Sequence, residues 1–137
     1  MGAKIDLEDT GKLLLRVTLG ATLLLHGINK LAHGIAGIQS NLAGRGIPEF
    51  FGYGVYVGEV VAPVMMIAGF KTRIAAAVFA FNMVVATLLA HSGDILALGG
   101  SGGWKVELQM LYLFGAVAVA LLGAGRYSVS RGNGRWD

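Results

Sequence analysis

Four apolar stretches of this chain carry ionisable side chains that a lipid environment tolerates poorly. His26 and Lys30 stand four residues apart in residues 13–32, Glu59 lies inside residues 52–70, His91 follows residues 74–90, and Glu107 opens residues 106–122. If consecutive stretches cross in alternating directions, all of these groups lie toward one side. Glu59 is then at roughly 10 Å depth, on a helical rise of about 1.5 Å per residue. An unpaired carboxylate at that depth is costly, so Glu59 is expected to be protonated or paired, with Lys30 as first partner and His26 or His91 as second.

Such a cluster has two uses. It can be a buried ion pair that fixes helix register, with the groups at the helix ends snorkelling to water. It can also bind or protonate the head group of a small lipophilic molecule such as a quinone, because a histidine changes charge near neutral pH and can accept protons beside a carboxylate. On the second reading Glu59, His26 and Lys30 carry the proton chemistry, and Arg16, His91 and Glu107 are binding contacts. Arg16 stands apart near the opposite side, where snorkelling to phosphates or capping a polar network is the blander role.

Other polar and aromatic residues read more simply. Asn82 suits an interhelical hydrogen bond. Tyr53, Tyr56, Trp104 and Tyr112 suit an interfacial aromatic belt. Met65 and Met66 read as packing, and His33 as a solvated loop residue. Three histidines on separate elements make neither a haem nor a zinc signature, so no metal is expected.

The elements that must position these groups are apolar. The chain has 137 residues, 55% of them hydrophobic and 14% charged, whereas a soluble domain carries about a quarter charged residues. Mean hydropathy is +0.66. Cysteine is absent, which excludes disulfides, thiol redox chemistry and iron–sulfur ligation. The expected fold is an all-α membrane protein, a single domain over residues 1–137. It has four transmembrane helices, at about 13–32, 52–70, 74–90 and 106–122.

Residues 33–51 are too polar to span; Ile35, Ile38 and Leu42 share a helical face, which predicts a short interfacial helix between the first two spans. Residues 1–12 read as a solvated tail with at most a first helical turn, and the glycine-rich stretch 91–104 as a flexible loop. The first span is longer than a signal-peptide core and has no clear cleavage site after it. Small residues give each helix a stripe for close approach: Gly20 and Gly27; Gly54, Gly58 and Ala62; Ala76 and Ala80; Ala116 and Ala120.

The net charge of +3 is distributed as topology rather than as a nucleic-acid footprint. Lys4, Lys12, Arg16, Lys71, Arg73, Arg126, Arg131 and Arg135 fall on one side; Lys30, Arg45 and Lys105 fall on the other. The positive-inside rule then places both termini in the cytoplasm.

Taken in order, LLLRVTLGATLLLHGINKL, a glycine-rich connection ending GIP, VGEVVAPVMMIAGFKTRIAA and GAGRYSVSR resemble the DoxX family of small four-helix bacterial membrane proteins. The likeness runs from about Leu13 to Arg131. It implies a four-helix bundle in the bacterial plasma (inner) membrane and a link to quinol oxidase and thiosulfate–quinone oxidoreductase activity. It points to Arg16, His26, Lys30 and Glu59, with Arg73 in the turn.

The expected function is therefore the membrane component of a quinone-linked oxidoreductase system. It would carry no intrinsic cofactor, bind quinone itself or borrow a cofactor, and work with a soluble redox partner, another membrane subunit or a second copy of itself. Two rivals are a non-catalytic scaffold that recruits a soluble partner and a small-molecule transporter.

Overall fold

The structure, a computed structural model, describes residues 5–137; Lys4, counted above among the basic residues, lies outside them. Asp6 starts the first helix. Its carboxylate accepts from the backbone N–H groups of Glu8 (3.0 Å) and Asp9 (3.3 Å), two of the donors that a helix start leaves unpaired. The first helix, α1 (Leu7–His33), therefore opens well before the apolar stretch. The charged residues expected to form a tail are its first turns. Gly34, at φ +83°, ends it.

A short helix, α2 (Ala36–Ala43), follows, then α3 (Glu49–Ala68), α4 (Thr72–Ala90) and α5 (Glu107–Leu122). No β-strand occurs among the described residues; one isolated bridge pairs Leu98 with Trp104. Three helices, α1, α3 and α4, are long and apolar enough to cross a membrane, and α5 is apolar but only 16 residues long. The fold shown is thus all-helical with three candidate spans.

The third helix, α3, is irregular. It begins as a 3₁₀ turn over Glu49–Tyr53 and widens to a π turn over Val57–Val61. Pro63 has no N–H to donate to Glu59 O, four residues back. The Ala62 N–H meanwhile reaches the Val57 carbonyl, five residues back. The π turn thus contains Glu59, with ten residues of α3 before it and nine after.

Helices meet through small residues, as they must where lipid supplies no apolar drive. A Cβ on Gly20 would lie 2.9 Å from Pro63 O, and one on Gly27 would overlap the Glu59 carbonyl and lie 2.8 Å from Val60 Cγ2. These glycines set α1 antiparallel against α3. Gly58 is covered by the Asn82 side chain, and Gly115 by Leu19, whereas Gly54 faces open space. The core between the helices is small and apolar, with Phe79 and Met66 fully buried among Leu23, Ala62, Ala76 and Ala116. Large side chains point outward instead: Leu14, Leu25, Phe81, Leu111 and Phe114 are each more than 60% exposed. That inversion suits lipid rather than water.

Gly27→Ala is expected to destabilise the fold by about 1–3 kcal/mol, because the obstructing atom belongs to a backbone that cannot swing aside. Thermal melting of the solubilised protein checks it. A melt unchanged from the parent would mean that α1 and α3 do not touch there.

The stretch 91–104, expected as a flexible loop, is tied down. Gly99 N donates to Gly103 O at 2.7 Å, Lys105 N to Ala97 O at 3.0 Å, and the Trp104 indole N–H to Ile95 O at 2.7 Å. Its glycines make the tight reversal, with Gly102 at φ +86°.

Candidate functional site: a three-helix polar cluster and two arginine clasps

Lys30 and Glu59 form an ion pair, with Nζ 2.5 Å from Oε2. Glu59 is buried, at 6% side-chain exposure, and Lys30 keeps 25%. The other carboxylate oxygen faces Asn82 of α4, whose amide N–H donates across 3.4 Å. The Tyr56 hydroxyl donates to the Lys30 carbonyl at 3.1 Å, which fixes the last turn of α1 on α3. Three helices thus contribute to one cluster.

Each approach has a local cause. Gly27 lets α1 touch the Glu59 backbone, Gly58 makes room for Asn82, and the π turn rotates Glu59 relative to the regular helix that follows. Asn82 makes the interhelical hydrogen bond that its place in the sequence suggests, and Tyr56, expected in an interfacial belt, joins the cluster instead. The signal that could have found Tyr56 was spacing: it is three residues before Glu59 on the same helical face.

The remaining candidates are placed elsewhere. His26 is exposed, and its ring meets the Tyr112 ring of α5 edge-on at 6.4 Å. His91 follows α4, with Nδ1 3.6 Å from Asp94 Oδ2, and Lys105 Nζ lies 3.1 Å from Asp94 Oδ1. The Lys105 hydrogen bond, with help from His91, holds the Asp94 carboxyl below its ordinary range. Glu107 is exposed in the first turn of α5, and a Cβ on Gly103 would lie 2.8 Å from its Oε2. Of the residues singled out from sequence, the structure joins Lys30 and Glu59 and leaves His26, His91 and Glu107 outside their hydrogen bonds.

Arg16 lies at the other end. It is 1% exposed, and its guanidinium donates to four backbone carbonyls: Ala124 (3.0 Å), Met66 (2.8 Å), Ile67 (2.5 Å) and Tyr127. Two of these belong to the last turn of α3, and Ala124 follows α5. Helix C-termini leave such carbonyls without internal donors, and a cation there also meets the negative end of the helix dipole.

Arg73 makes a second clasp, donating to Ala120 O (2.7 Å), Leu121 O (2.8 Å) and Asp137 O (2.9 Å). Both arginines hold the tail against the helix ends. Val129 N to Ala68 O and Ser130 N to Gly69 O continue the same seam.

The family model described as DoxX matches residues 11–92, which contain Arg16, His26, Lys30, Tyr56, Glu59 and Asn82; Glu107 and the tail lie beyond it. A protein of Bacillus subtilis (strain 168) named "Putative oxidoreductase CatD" is 28% identical over 116 residues, covering 85% of this chain and 81% of its own length. No solved structure gives a significant match. With a family match over more than half its length, and with helices that turn apolar bulk outward around a polar cluster and two clasps, this chain is a membrane protein that belongs to the DoxX family.

Proposed function

We propose that this protein is the membrane component of a quinone-linked oxidoreductase system in the bacterial plasma membrane, and that the Lys30–Glu59–Asn82 cluster binds the head group or handles its protons. The observation that carries the reading is the ion pair between Lys30 of α1 and the buried Glu59 in the π turn of α3, since an ionisable residue within a spanning helix points by default to a functional site. The name of the Bacillus subtilis relative supports the oxidoreductase class.

The donor set suits a quinone head group. A lysine ammonium has three N–H donors, and a quarter of the Lys30 side chain reaches the surface beside its partner. A bound quinone would supply two-electron, two-proton redox chemistry. In that site Lys30 donates to a carbonyl oxygen, Glu59 holds or accepts a proton at Oε2, and Asn82 keeps Oε1 oriented.

The topology that goes with this function is a single four-span domain with both termini cytoplasmic, supported by the Lys and Arg distribution. As the fourth span, α5 measures about 24 Å against a hydrocarbon core of about 30 Å, so the bilayer thins around it or its flanks snorkel. In the same topology α2 lies at the outer interface, with Ile35 and Leu42 turned onto the start of α3.

Glu59→Gln tests the site, because it keeps the shape and removes the charge. The expected result is that quinone retained by the purified protein, read by lipid extraction, falls at least about tenfold, the loss typical of removing one charge-assisted contact. Helical content stays as in the parent. Equal retention in the two proteins would sink the assignment.

A further inference from the structure

We propose that the groove between α4 and α5, at the end of the molecule where Arg16 and Arg73 clasp the helices, binds one anionic phospholipid. The groove holds about 540 Å³. Its wall on α4 is Ile74, Ala77, Val78 and Phe81, a three-and-four spacing that makes one continuous stripe about 10 Å long. Alanines at 77 and 120 recess the floor, and the lining is almost wholly apolar, which fits an acyl chain and offers nothing to a soluble ligand.

The mouth carries two arginines, Arg73 and Arg135, against one carboxylate, Asp137, whose Oδ1 is engaged by the Thr72 N–H at 3.4 Å. The Arg73 backbone N–H donates to Trp136 O at 2.9 Å, so the tail folds back and places Arg135 and Trp136 over the groove. The Arg135 guanidinium lies 5.2 Å from the Trp136 ring centroid and forms no ion pair among the described residues. Arg73 already donates to three carbonyls, so it contributes charge at the mouth while Arg135 supplies the open donors.

An apolar slot ending in an arginine that lacks a carboxylate is complementary to an amphiphile with an anionic phosphate. A free phosphate would leave the slot empty. A zwitterionic lipid would bring its own cation to the arginine. The inference does not depend on the oxidoreductase reading, because none of its residues belongs to the Lys30–Glu59 cluster.

Native mass spectrometry of the full chain tests it, in detergent loaded with equal amounts of phosphatidylglycerol and phosphatidylcholine of the same acyl chains. The parent should retain one phosphatidylglycerol in preference to phosphatidylcholine by about fivefold, the effect of one arginine near a membrane surface. Arg135→Gln should bring the ratio close to one. Ala77→Phe should lower retention of both lipids, and Ala77→Leu is the milder filling variant should the first fail to fold. Leu25→Phe, on the exposed face of α1, should change neither.

An undiminished preference in Arg135→Gln overturns the proposal, and so does undiminished retention in a folded Ala77 variant. Recovery of quinone in place of phospholipid, lost on filling Ala77, also overturns it by making the groove a prenyl-tail site.

Discussion

Arg16→Leu should lower the stability of the solubilised protein by about 3–5 kcal/mol, the range seen when one partner of a buried charged network is removed. The side chain is 1% exposed and donates to four carbonyls, of which Met66 O alone has a second donor, Gly69 N at 3.2 Å. Leucine fills part of the volume but offers no donor, so the ends of α3 and α5 keep buried acceptors that lipid tails cannot satisfy. Each such orphan costs about 1–3 kcal/mol, and relaxation toward water at the membrane edge recovers some of the sum.

Arg16→Lys separates charge from geometry. Lysine keeps the cation and its favourable position at two helix C-termini, but a single ammonium cannot reach carbonyls on both α3 and the tail. It should therefore fall between parent and leucine. The readout is the midpoint of thermal loss of helical signal, alongside protease cleavage of the tail after α5, which should appear first in Arg16→Leu. A leucine variant as stable as the parent would show that the clasp is dispensable.

Arg16 also shows what a sequence carries and what it withholds. An arginine inside an apolar run signals a polar network near one membrane face, and that much was legible. Its partners are backbone carbonyls, which every residue has, so no side-chain pattern could name them. The Lys30–Glu59 pair was legible for the opposite reason: two complementary ionisable groups in apolar surroundings have few alternatives. The π turn around Glu59 traces to Pro63, visible in the chain, but whether a missing N–H gives a kink, a π turn or nothing depends on what packs beside it.

His26 shares the i, i+4 spacing of Lys30, yet the two side chains serve different neighbours, α5 and α3. Helical periodicity assigns a face about a third of the circumference wide, and two helices can compete for it. The loop 91–104 misleads similarly. Its glycines permit flexibility, but they also permit the reversal that lets Trp104 and Lys105 reach back to Ile95, Ala97 and Asp94.

Lys30→Met should lower stability by about 3 kcal/mol, the low end of the range for breaking a buried pair, since Lys30 retains a quarter of its exposure. The cause is the carboxylate left behind: Glu59 would have only the long contact from Asn82 in a site that Gly27 and Gly58 close tightly. Glu59→Gln leaves a neutral amide that can still meet Asn82, and a lysine that can extend to the surface, so it should cost less. The double variant removes both charges and should be more stable than Lys30→Met alone. The coupling read from the four melts is expected at about 1–3 kcal/mol.

This cycle also separates architecture from chemistry. If the pair only fixes the register of α1 against α3, the double variant should regain most of the parent's behaviour in every assay, quinone retention included. If Glu59 and Lys30 act on a head group, the double variant should regain stability while quinone retention stays as low as in Glu59→Gln. Independent, additive losses would mean that the two side chains do not form one unit. A register role and a chemical role predict the same melts, so only the retention assay on a folded double variant divides them.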